Sequence, residues 1–493
     1  MSERQFSRRT ILKTGAGIFA GVATAATLRD SAGAADAAIR MESQRPRDPR
    51  QRLLLRGGTI ISMDAKVGDL AKGDVLLEGS KIAAIGPAIS APGAQTLDAA
   101  NMILIPGLID CHRHSWEGQL RRINPNAPTL AEYSNATHLS FATHYRPQDM
   151  YVGNMITALG CIDSGVTCII DNSHNARSGA HSDAAIEALM HSGIRAVHAS
   201  GAPQAGEWTH QWPQDLARLK TKYFSSGDGL VTLRMFSPPN RENWMYARSL
   251  GLRITTEFQG PQQAALLDTL WQERMVGPDN TFNHCGGLPE RTWEILRDSR
   301  AGVDVCPRSD AQYGLGEGIS AYQHALDHGI KPGLSVDNET SYSTDMFMEM
   351  RVAFIMQRAL SQNRKFSGDG NAPAPVNVRD VLECATVNGA NCAGLGGTIG
   401  SLAPGKDADI VMIRSDDINL YPSNNALGTV VQAADRSNVD TVIIGGRVRK
   451  LHGKLVGLDV ERFKRMVEES RRYLFTAINF KEDLFAEKLP KLY

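Results

Sequence analysis

The chain has 493 residues, of which 53 are lysine or arginine and 53 are aspartate or glutamate. This length is sufficient for a large barrel together with a smaller domain. Because the charges balance, no net positive field recruits nucleic acid or an anionic membrane. We therefore expect a small-molecule substrate and no nucleic-acid partner.

The N-terminus has the pattern of a targeting segment. Ser7-Arg8-Arg9 precedes a mildly apolar, Gly- and Ala-rich stretch, and Ala32-Gly33-Ala34 then offers small residues for cleavage. This pattern is typical of a twin-arginine export signal, here residues 1–35. The apolar stretch is short and weakly hydrophobic for a permanent membrane span. We expect the twin-arginine export machinery as a partner, a periplasmic or otherwise exported location, and no stable membrane span after processing.

Residues 36–52 are polar and are expected to form a linker. Short apolar runs broken by glycine then predict strands after Leu53, and the same pattern returns after Gly400. We assign residues 53–104 and 395–456 to one small β-sandwich domain built from both ends of the mature chain.

Between residues 105 and 394, strand-like apolar runs alternate with longer segments of helical period. Such alternation is typical of an α/β fold with a parallel sheet. We predict a (β/α)8 TIM-like barrel over these residues. Apolar residues then recur at three and four positions from Val460 to Leu474, which predicts a C-terminal amphipathic helix within 457–493. The sequence leaves the oligomeric state open, a homo-oligomer included.

Seven cysteines are scattered singly along the chain. An odd number without short paired spacings does not indicate a disulfide framework, even in an exported protein. We expect them to pack as small core residues.

His112 and His114 end an apolar run that begins near Ile103. Because residues i and i+2 of a strand point to the same face, both imidazoles can face one metal ion. In a TIM-like barrel, chemistry is placed at the C-terminal ends of the strands. The pattern therefore predicts a metal site at the end of the first barrel strand.

Three later motifs accompany His112 and His114: Asn283-His284-Cys285-Gly286, Val305-Cys306-Pro307-Arg308-Ser309 and Gly333-Leu334-Ser335-Val336-Asp337. Their order and spacing resemble the amidohydrolase superfamily, in its cytosine-deaminase-like and triazine-hydrolase-like branch. The resemblance runs from about residue 53 to residue 456.

The resemblance implies one divalent metal ion, with zinc as the first choice and iron as the alternative. His112, His114 and Asp337 would be its ligands, and Asp337 would also take the proton of the attacking water. His284 would orient the attack and stabilise the charge that grows on the substrate.

One segment departs from the family pattern. Relatives commonly carry Gly-Leu-x-x-His-x-His-x-x-Glu, in which the second histidine binds metal and the glutamate shuttles a proton. Here the sequence from Gly251 places Glu257 at the ligand histidine and Gly260 at the glutamate. A carboxylate binds Zn²⁺ at a distance similar to an imidazole. Glu257 is therefore predicted to be a ligand or a base beside the metal, and the proton shuttle is missing.

Other residues were considered for the substrate pocket. Glu117 and Glu339 follow His114 and Asp337 closely, and either one could replace the missing shuttle or be a solvated loop carboxylate. His174 and His198 follow predicted barrel strands, and Trp208 lies in a loop-like stretch suited to covering a substrate.

These features predict an exported, metal-dependent hydrolase that cleaves a C–N bond other than a peptide bond, in an amide, a cyclic amide or an amino-heterocycle. One alternative is decarboxylation or dehalogenation at the same metal site. A further alternative is a metal- or ligand-binding relative that has lost hydrolysis.

Overall fold

The computed structural model describes residue 48 and residues 50–487. The predicted export signal, residues 1–35, and most of the predicted linker lie outside the described residues. Within the described residues, no helix combines the length and the apolar character needed to cross a membrane.

The two ends of the described chain form one nine-stranded sheet. They meet where strand Met102–Pro106 pairs antiparallel with strand Ile410–Arg414. Apolar side chains from both ends, such as Leu55, Val75 and Met412, form a common core. This arrangement confirms the prediction of a small β-domain built from both ends, although its strands are hydrogen-bonded as one continuous sheet. The strands are Arg52–Ile60, Leu70–Glu78, Lys81–Gly86, Gln95–Asp98, Met102–Pro106, Ile410–Arg414, Val439–Ile444, Arg447–Leu451 and Lys454–Leu455.

The second sheet has eight parallel strands, and consecutive strands in the chain are neighbours in the sheet. Helical segments follow each strand, which confirms the predicted TIM-like barrel. The strands are Leu108–Arg113, Val166–Ser173, Arg195–Ser200, Val231–Phe236, Ile254–Phe258, Asn280–His284, Gly302–Val305 and Gly333–Leu334.

The first and last barrel strands meet beyond their C-terminal ends, where Arg113 forms an isolated parallel bridge with Asp337. Asp337 N donates to His112 O and His114 N donates to Asp337 O, both at 2.9 Å. The contact that closes the barrel is thus made by the segments that carry the predicted metal ligands.

Helices cover the outside of the barrel. Their apolar side chains pack against the strands. Trp244, Leu267 and Leu296, for example, belong to the main core cluster. The helix Val460–Ala477 contacts the helix Pro147–Asp163, with Ser470 donating to Asp149 at 2.7 Å. The α-helices are Leu130–Ala136, Pro147–Asp163, Gly179–Ser192, Asp215–Tyr223, Arg241–Ser249, Gly260–Gln272, Glu290–Ser299, Pro307–Tyr313, Tyr322–Asp327, Met346–Phe366, Val378–Glu383, Gly389–Cys392, Ala426–Gly428 and Val460–Ala477.

Gly107 joins the two sheets. A Cβ at this position would lie 1.9 Å from Thr167 Oγ1, so no other residue fits without movement of the backbone. The chain passes through it from strand Met102–Pro106 directly into the first barrel strand. The small sheet therefore fixes the base of the strand that ends in His112 and His114. The domain limits given by the sequence stay predictions.

Candidate metal centre

His112 and His114 lie at the C-terminal end of the first barrel strand, with both side chains buried. Their Nε2 atoms are 3.2 Å apart. His114 Nδ1 lies 3.1 Å from Asn172 O, where a ring N–H can donate to the carbonyl. That bond leaves Nε2 of His114 with a free lone pair directed at His112, as in a metal ligand.

Two carboxylates contact the same pair of imidazoles. Glu257 Oε1 lies 3.2 Å from His112 Nε2 and 3.1 Å from His114 Nε2. Asp337 Oδ1 lies 3.6 Å from His112 Nε2 and 3.2 Å from His114 Nε2. The structure thus brings all four predicted metal-site residues together.

The geometry of these donors suits a divalent ion. Ligand atoms of a tetrahedral zinc are about 3.3 Å apart when metal–ligand distances are about 2.0 Å. His112, His114 and Glu257 offer atoms at separations of 3.1–3.2 Å. Glu257 Oε1 is buried and has no hydrogen-bond partner among the described groups. A bound metal ion would satisfy this oxygen. The residues therefore fit a bound metal ion.

The electrostatics point to the same conclusion. Burial opposes ionisation of Glu257, but the two histidines outweigh it and hold the pKa of Glu257 well below its usual value. Burial likewise opposes ionisation of Asp337, and His114 and His112 lower its pKa nonetheless. Burial also opposes protonation of His114, but the two carboxylates raise its pKa well above the usual value. Two ionised carboxylates around paired imidazoles thus favour a positive charge between them, which a divalent cation supplies.

His284 ends strand Asn280–His284, and its ring centroid lies 5.0 Å from that of His112. Its Nδ1 is 2.9 Å from Asp310 Oδ1. Burial alone would lower the pKa of His284, but the hydrogen bond and charge of Asp310 outweigh burial and raise the pKa to about 9. His284 is therefore positioned as a hydrogen-bond donor beside the predicted metal ligands.

The backbone is unusual at two of these positions. His284 has φ of 64° and Asp337 has φ of 73°, in a region that residues other than glycine rarely adopt. Such conformations persist only where the surroundings impose them, and they cluster at functional sites. The hydroxyl of Ser309 donates to Asp337 Oδ2, which leaves Oδ1 directed at the histidines.

Glu117 is buried on the 3-10 helix Ser115–Leu120, directly after His114. Tyr133 Oη donates to Glu117 Oε1 at 2.7 Å, and His138 Nε2 lies 3.3 Å from the same oxygen. Glu117 Oε2 is buried and lacks a partner among the described groups. Glu117 is thus held beside the metal ligands with one oxygen free, and it is not a solvated loop carboxylate.

His174 and His198 are both buried, and His174 contacts the predicted ligand His114. His174 Nε2 lies 2.9 Å from His114 Nδ1, and burial lowers the pKa of His174 well below its usual value. His198 Nδ1 lies 2.9 Å from Asp171 Oδ2. Asp171 Oδ1 in turn accepts from Ser115 N at 3.2 Å, so His198 supports the segment that follows His114.

Glu339, which follows Asp337 closely in the chain, lies in a network of ion pairs. Its side chain is buried and ion-paired with Arg113, at 3.3 Å, and with Arg121. Arg113 in turn binds Asp110, whose Oδ1 accepts from Val336 N at 3.0 Å. Both arginines thus hold the carboxylate of Glu339 in a buried ion-pair network, and its predicted place in the substrate pocket stays a prediction.

Trp208 is half-buried in the loop after strand Arg195–Ser200, and its ring lies 4.3 Å from that of His210. No contact between Trp208 and the metal ligands is found among the described residues. Its predicted role in covering a substrate stays a prediction.

Gly260 begins the helix Gly260–Gln272 with φ of 72°. A side chain is strained in this conformation, so the position does not suit a glutamate. The absence of the shuttle is therefore built into the backbone as well as into the sequence.

Three residues beside the metal ligands escaped the sequence analysis: Asp310, Tyr133 and His138. Asp310 directly follows the motif that ends at Ser309, so its position in the chain was a usable signal. His138 is buried, and its ring lies 4.7 Å from that of His174. Tyr133 and His138 lie outside the strands, where no periodic pattern marks their position.

The described cysteines are all buried and free, in agreement with the expected absence of a disulfide framework. Cys285 follows His284 and packs in the core. Cys306 Sγ lies 3.7 Å from His112 Nδ1, on the side of the ring opposite the two carboxylates. Burial raises the pKa of the Cys306 thiol well above its usual value, so it stays protonated.

Residues 245–449 match the amidohydrolase family. The 5-methylthioadenosine/S-adenosylhomocysteine deaminase of Desulforamulus reducens is 27% identical over 448 residues, covering 85% of this chain and 98% of the relative. The 5'-deoxyadenosine deaminase of Methanosarcina acetivorans is 26% identical over 444 residues, covering 85% of this chain and 96% of the relative.

Solved structures share the fold. A variant of atrazine chlorohydrolase TrzN from Arthrobacter aurescens, complexed with zinc and atraton, has a TM-score of 0.74 at 21% identity, covering 85% of this chain and all of that one. A zinc-bound adenosine deaminase from Xanthomonas campestris has a TM-score of 0.73 at 21% identity, covering 87% of this chain and all of that one. The family model matches residues 245–449, the relatives span most of the chain, and the solved structures share the barrel fold, so this protein is similar to members of the amidohydrolase superfamily.

Proposed function

We propose that the protein hydrolyses the exocyclic C–N bond of a small amino-substituted heterocycle and releases ammonia. The observation that carries this proposal is the meeting of His112, His114, Glu257 and Asp337 at the barrel mouth, with the His284–Asp310 pair beside them. The substrate class is supported by relatives over 85% of the chain that are named as deaminases of adenosine derivatives.

His112, His114, Glu257 and Asp337 would hold one divalent ion. Zinc suits this set of nitrogen and oxygen donors, and iron is the alternative. Such an ion supplies Lewis-acid activation of water. Glu257 in place of a histidine gives the centre one more negative charge than the metal centres of its relatives would have. We therefore expect its metal ion to be a weaker Lewis acid than theirs.

Asp337 and His284 would divide the acid–base work. The low pKa of Asp337 keeps it ionised, and its Oδ1 accepts the proton of the attacking water. His284, kept protonated by Asp310, donates a hydrogen bond to the negative charge that develops on the substrate. Opposite pKa shifts in adjacent groups are the usual basis of such a division.

Glu117 would replace the proton shuttle that Gly260 cannot provide. Deamination requires a proton on the ring nitrogen and another on the departing ammonia. Glu117 Oε2 is buried without a partner, and Tyr133 and His138 hold the other oxygen. Glu117 would donate a proton from Oε2 to the ring nitrogen and regain one from the hydroxyl group added by water as the C–N bond breaks, while Asp337 would pass the first water proton to the departing ammonia.

An assay of released products tests the proposal. Purified, metal-replete protein would be incubated with 5'-deoxyadenosine, 5-methylthioadenosine, amino-triazines and cyclic amides, and ammonia, halide and CO₂ would be measured. We expect metal-dependent ammonia release from at least one amino-heterocycle. Ring opening of a cyclic amide without ammonia, or release of halide or CO₂ alone, would reject the deaminase proposal.

We also propose export through the twin-arginine machinery, on the basis of Ser7-Arg8-Arg9. An exported enzyme would act on a scavenged or foreign compound rather than in nucleobase salvage. The double variant Arg8→Lys with Arg9→Lys should leave uncleaved precursor in the cytoplasm, as fractionation and immunoblotting would show. Normal processing and export of that variant would refute this assignment.

A further inference from the structure

A cavity of about 250 Å³ lies at the end of the barrel opposite the metal ligands. We call it the basal cavity. Its lining includes Arg253, which precedes strand Ile254–Phe258, and Gly302, which opens strand Gly302–Val305. Arg253 and Glu257 lie near opposite ends of one strand, about 13 Å apart along it. The basal cavity is therefore separate from the metal centre.

The described residues that line the basal cavity include four cationic side chains and no carboxylate. Arg297 Nε lies 2.8 Å from Asp298 Oδ1, and Lys331 Nζ lies 3.7 Å from Glu383 Oε2. The other two are Arg253 and Arg300, and neither forms an ion pair within the described part of the chain. The cavity wall thus has two positive charges without a partner.

Arg253 is fixed against this wall. One terminal nitrogen of its guanidinium donates to Pro278 O at 2.6 Å, while its Nε is buried and has no acceptor among the described atoms. A Cβ on Gly394, which has φ of 73°, would lie 2.8 Å from that Nε. Glycine therefore leaves room for the guanidinium, whose hydrogen-bonding capacity stays partly unused.

A further arginine lies behind the cavity floor. Arg234 is 1% exposed, and it donates to Thr255, Thr281 and Cys392 O at 3.0–3.1 Å. Cys392 itself lines the cavity. Burial and the nearby charge of Arg253 lower the pKa of Arg234 to about 9. Buried arginines are normally paired with an acid, but no described carboxylate pairs with this one.

We propose that the basal cavity binds a small phosphate-bearing anion between Arg253 and Arg300. Guanidinium groups bind phosphate oxygens in a bidentate manner, and the amides of Asn388 and Asn391 add neutral donors to the lining. Pockets for drug-sized ligands measure roughly 300–1,000 Å³. The smaller basal cavity therefore suits inorganic phosphate or a small phosphate monoester.

Helix C-termini also attract cations at this end of a barrel, since their dipoles are negative there. That effect accounts for Arg297, in the last turn of the helix Glu290–Ser299, and for Arg300, the residue that caps its C-terminus. It does not account for Arg253, which lines the cavity and whose buried Nε has no acceptor among the described atoms. The two explanations differ in whether phosphate binds.

Isothermal titration of inorganic phosphate into the purified, metal-replete protein at low ionic strength tests the proposal. We expect saturable binding at one site. Arg300→Gln, an exposed position that leaves the core intact, and Arg253→Gln should each weaken binding at least about tenfold, the effect of losing a charge-assisted hydrogen bond. Arg253→Lys, which keeps the charge but loses the planar fork, should fall between.

The matched control is Arg291→Gln, which removes the same charge from an exposed position at the other end of the helix Glu290–Ser299. This variant should bind phosphate as the unaltered protein does. No saturable binding, or equal weakening in all variants, would leave helix-dipole compensation as the role of these cations and overturn the proposal. Unchanged binding in both Arg253→Gln and Arg300→Gln would assign the phosphate to the metal and overturn it as well.

Discussion

The two ends of the barrel differ in how their charges are matched. At the C-terminal mouth, His112 and His114 contact Glu257 and Asp337, and His284 contacts Asp310. At the base, Arg253 and Arg300 line a cavity without any described acidic partner. One strand contributes to both ends, with Arg253 just before its start and Glu257 near its finish.

This difference indicates that the side chains at each end, rather than the barrel scaffold, set the charge that each end presents. The mouth has an excess of carboxylates over fixed cations, so it favours a metal ion. The base has an excess of guanidinium groups, so it favours an anion. The following predictions alter the charge match at the mouth, in order of decreasing effect.

The largest effect is expected from His112→Ala or His114→Ala. Each change removes one of only four donors and leaves two carboxylates facing each other with fewer partners. Metal content should fall, and turnover should decrease by orders of magnitude. Elemental analysis and the ammonia assay would measure both, with the exposed His144→Ala as a control. A full complement of metal in either variant would remove that histidine from the site.

Glu117→Gln should have the next largest effect. The change keeps the shape and the hydrogen bond from Tyr133 but removes the ability to carry a proton. We expect a loss of kcat of about 10²–10⁴-fold, with metal content unchanged. Glu242→Gln, at an exposed position, is the matched control. Unaltered kcat in the Glu117 variant would show that another group delivers the proton.

A smaller, pH-dependent effect is expected from Asp310→Asn. Asp310 raises the pKa of His284 to about 9, so the protonated form is lost only as the pH rises through that value. A bound dication opposes this shift and moves the loss to lower pH. Removing the Asp310 charge lowers the pKa of His284 further. The alkaline limb of the kcat/KM profile should therefore move to lower pH. An unmoved limb would show that His284 is not the group that titrates there.

The sequence predicted what depends on local pattern. The alternation of side chains along a strand placed His112 and His114 together, and the strand ends placed His284 and Asp337 at the mouth. Comparison with the family motif identified Glu257 at a ligand position.

Tertiary packing determined the features of the site that the sequence did not predict. Tyr133, on the short helix Leu130–Ala136, and His138, in the turn after it, reach Glu117 from the segment between the first two barrel strands, where no strand pattern marks their position. Glu339 follows Asp337 closely in the chain, but it pairs with Arg113 and Arg121, which are distant in sequence. The unpaired state of Arg253 likewise depends on which groups the fold brings near it.

The metal content of Glu257→Gln tests the central claim most directly, because Glu257 is the proposed ligand that departs from the pattern of similar proteins. Elemental analysis would compare the unaltered protein, Glu257→Gln and the exposed control Glu242→Gln after identical purification. We predict one equivalent of metal in the unaltered protein and the control, and a substantial loss in Glu257→Gln. A full equivalent in Glu257→Gln would contradict the assignment of Glu257 as a ligand.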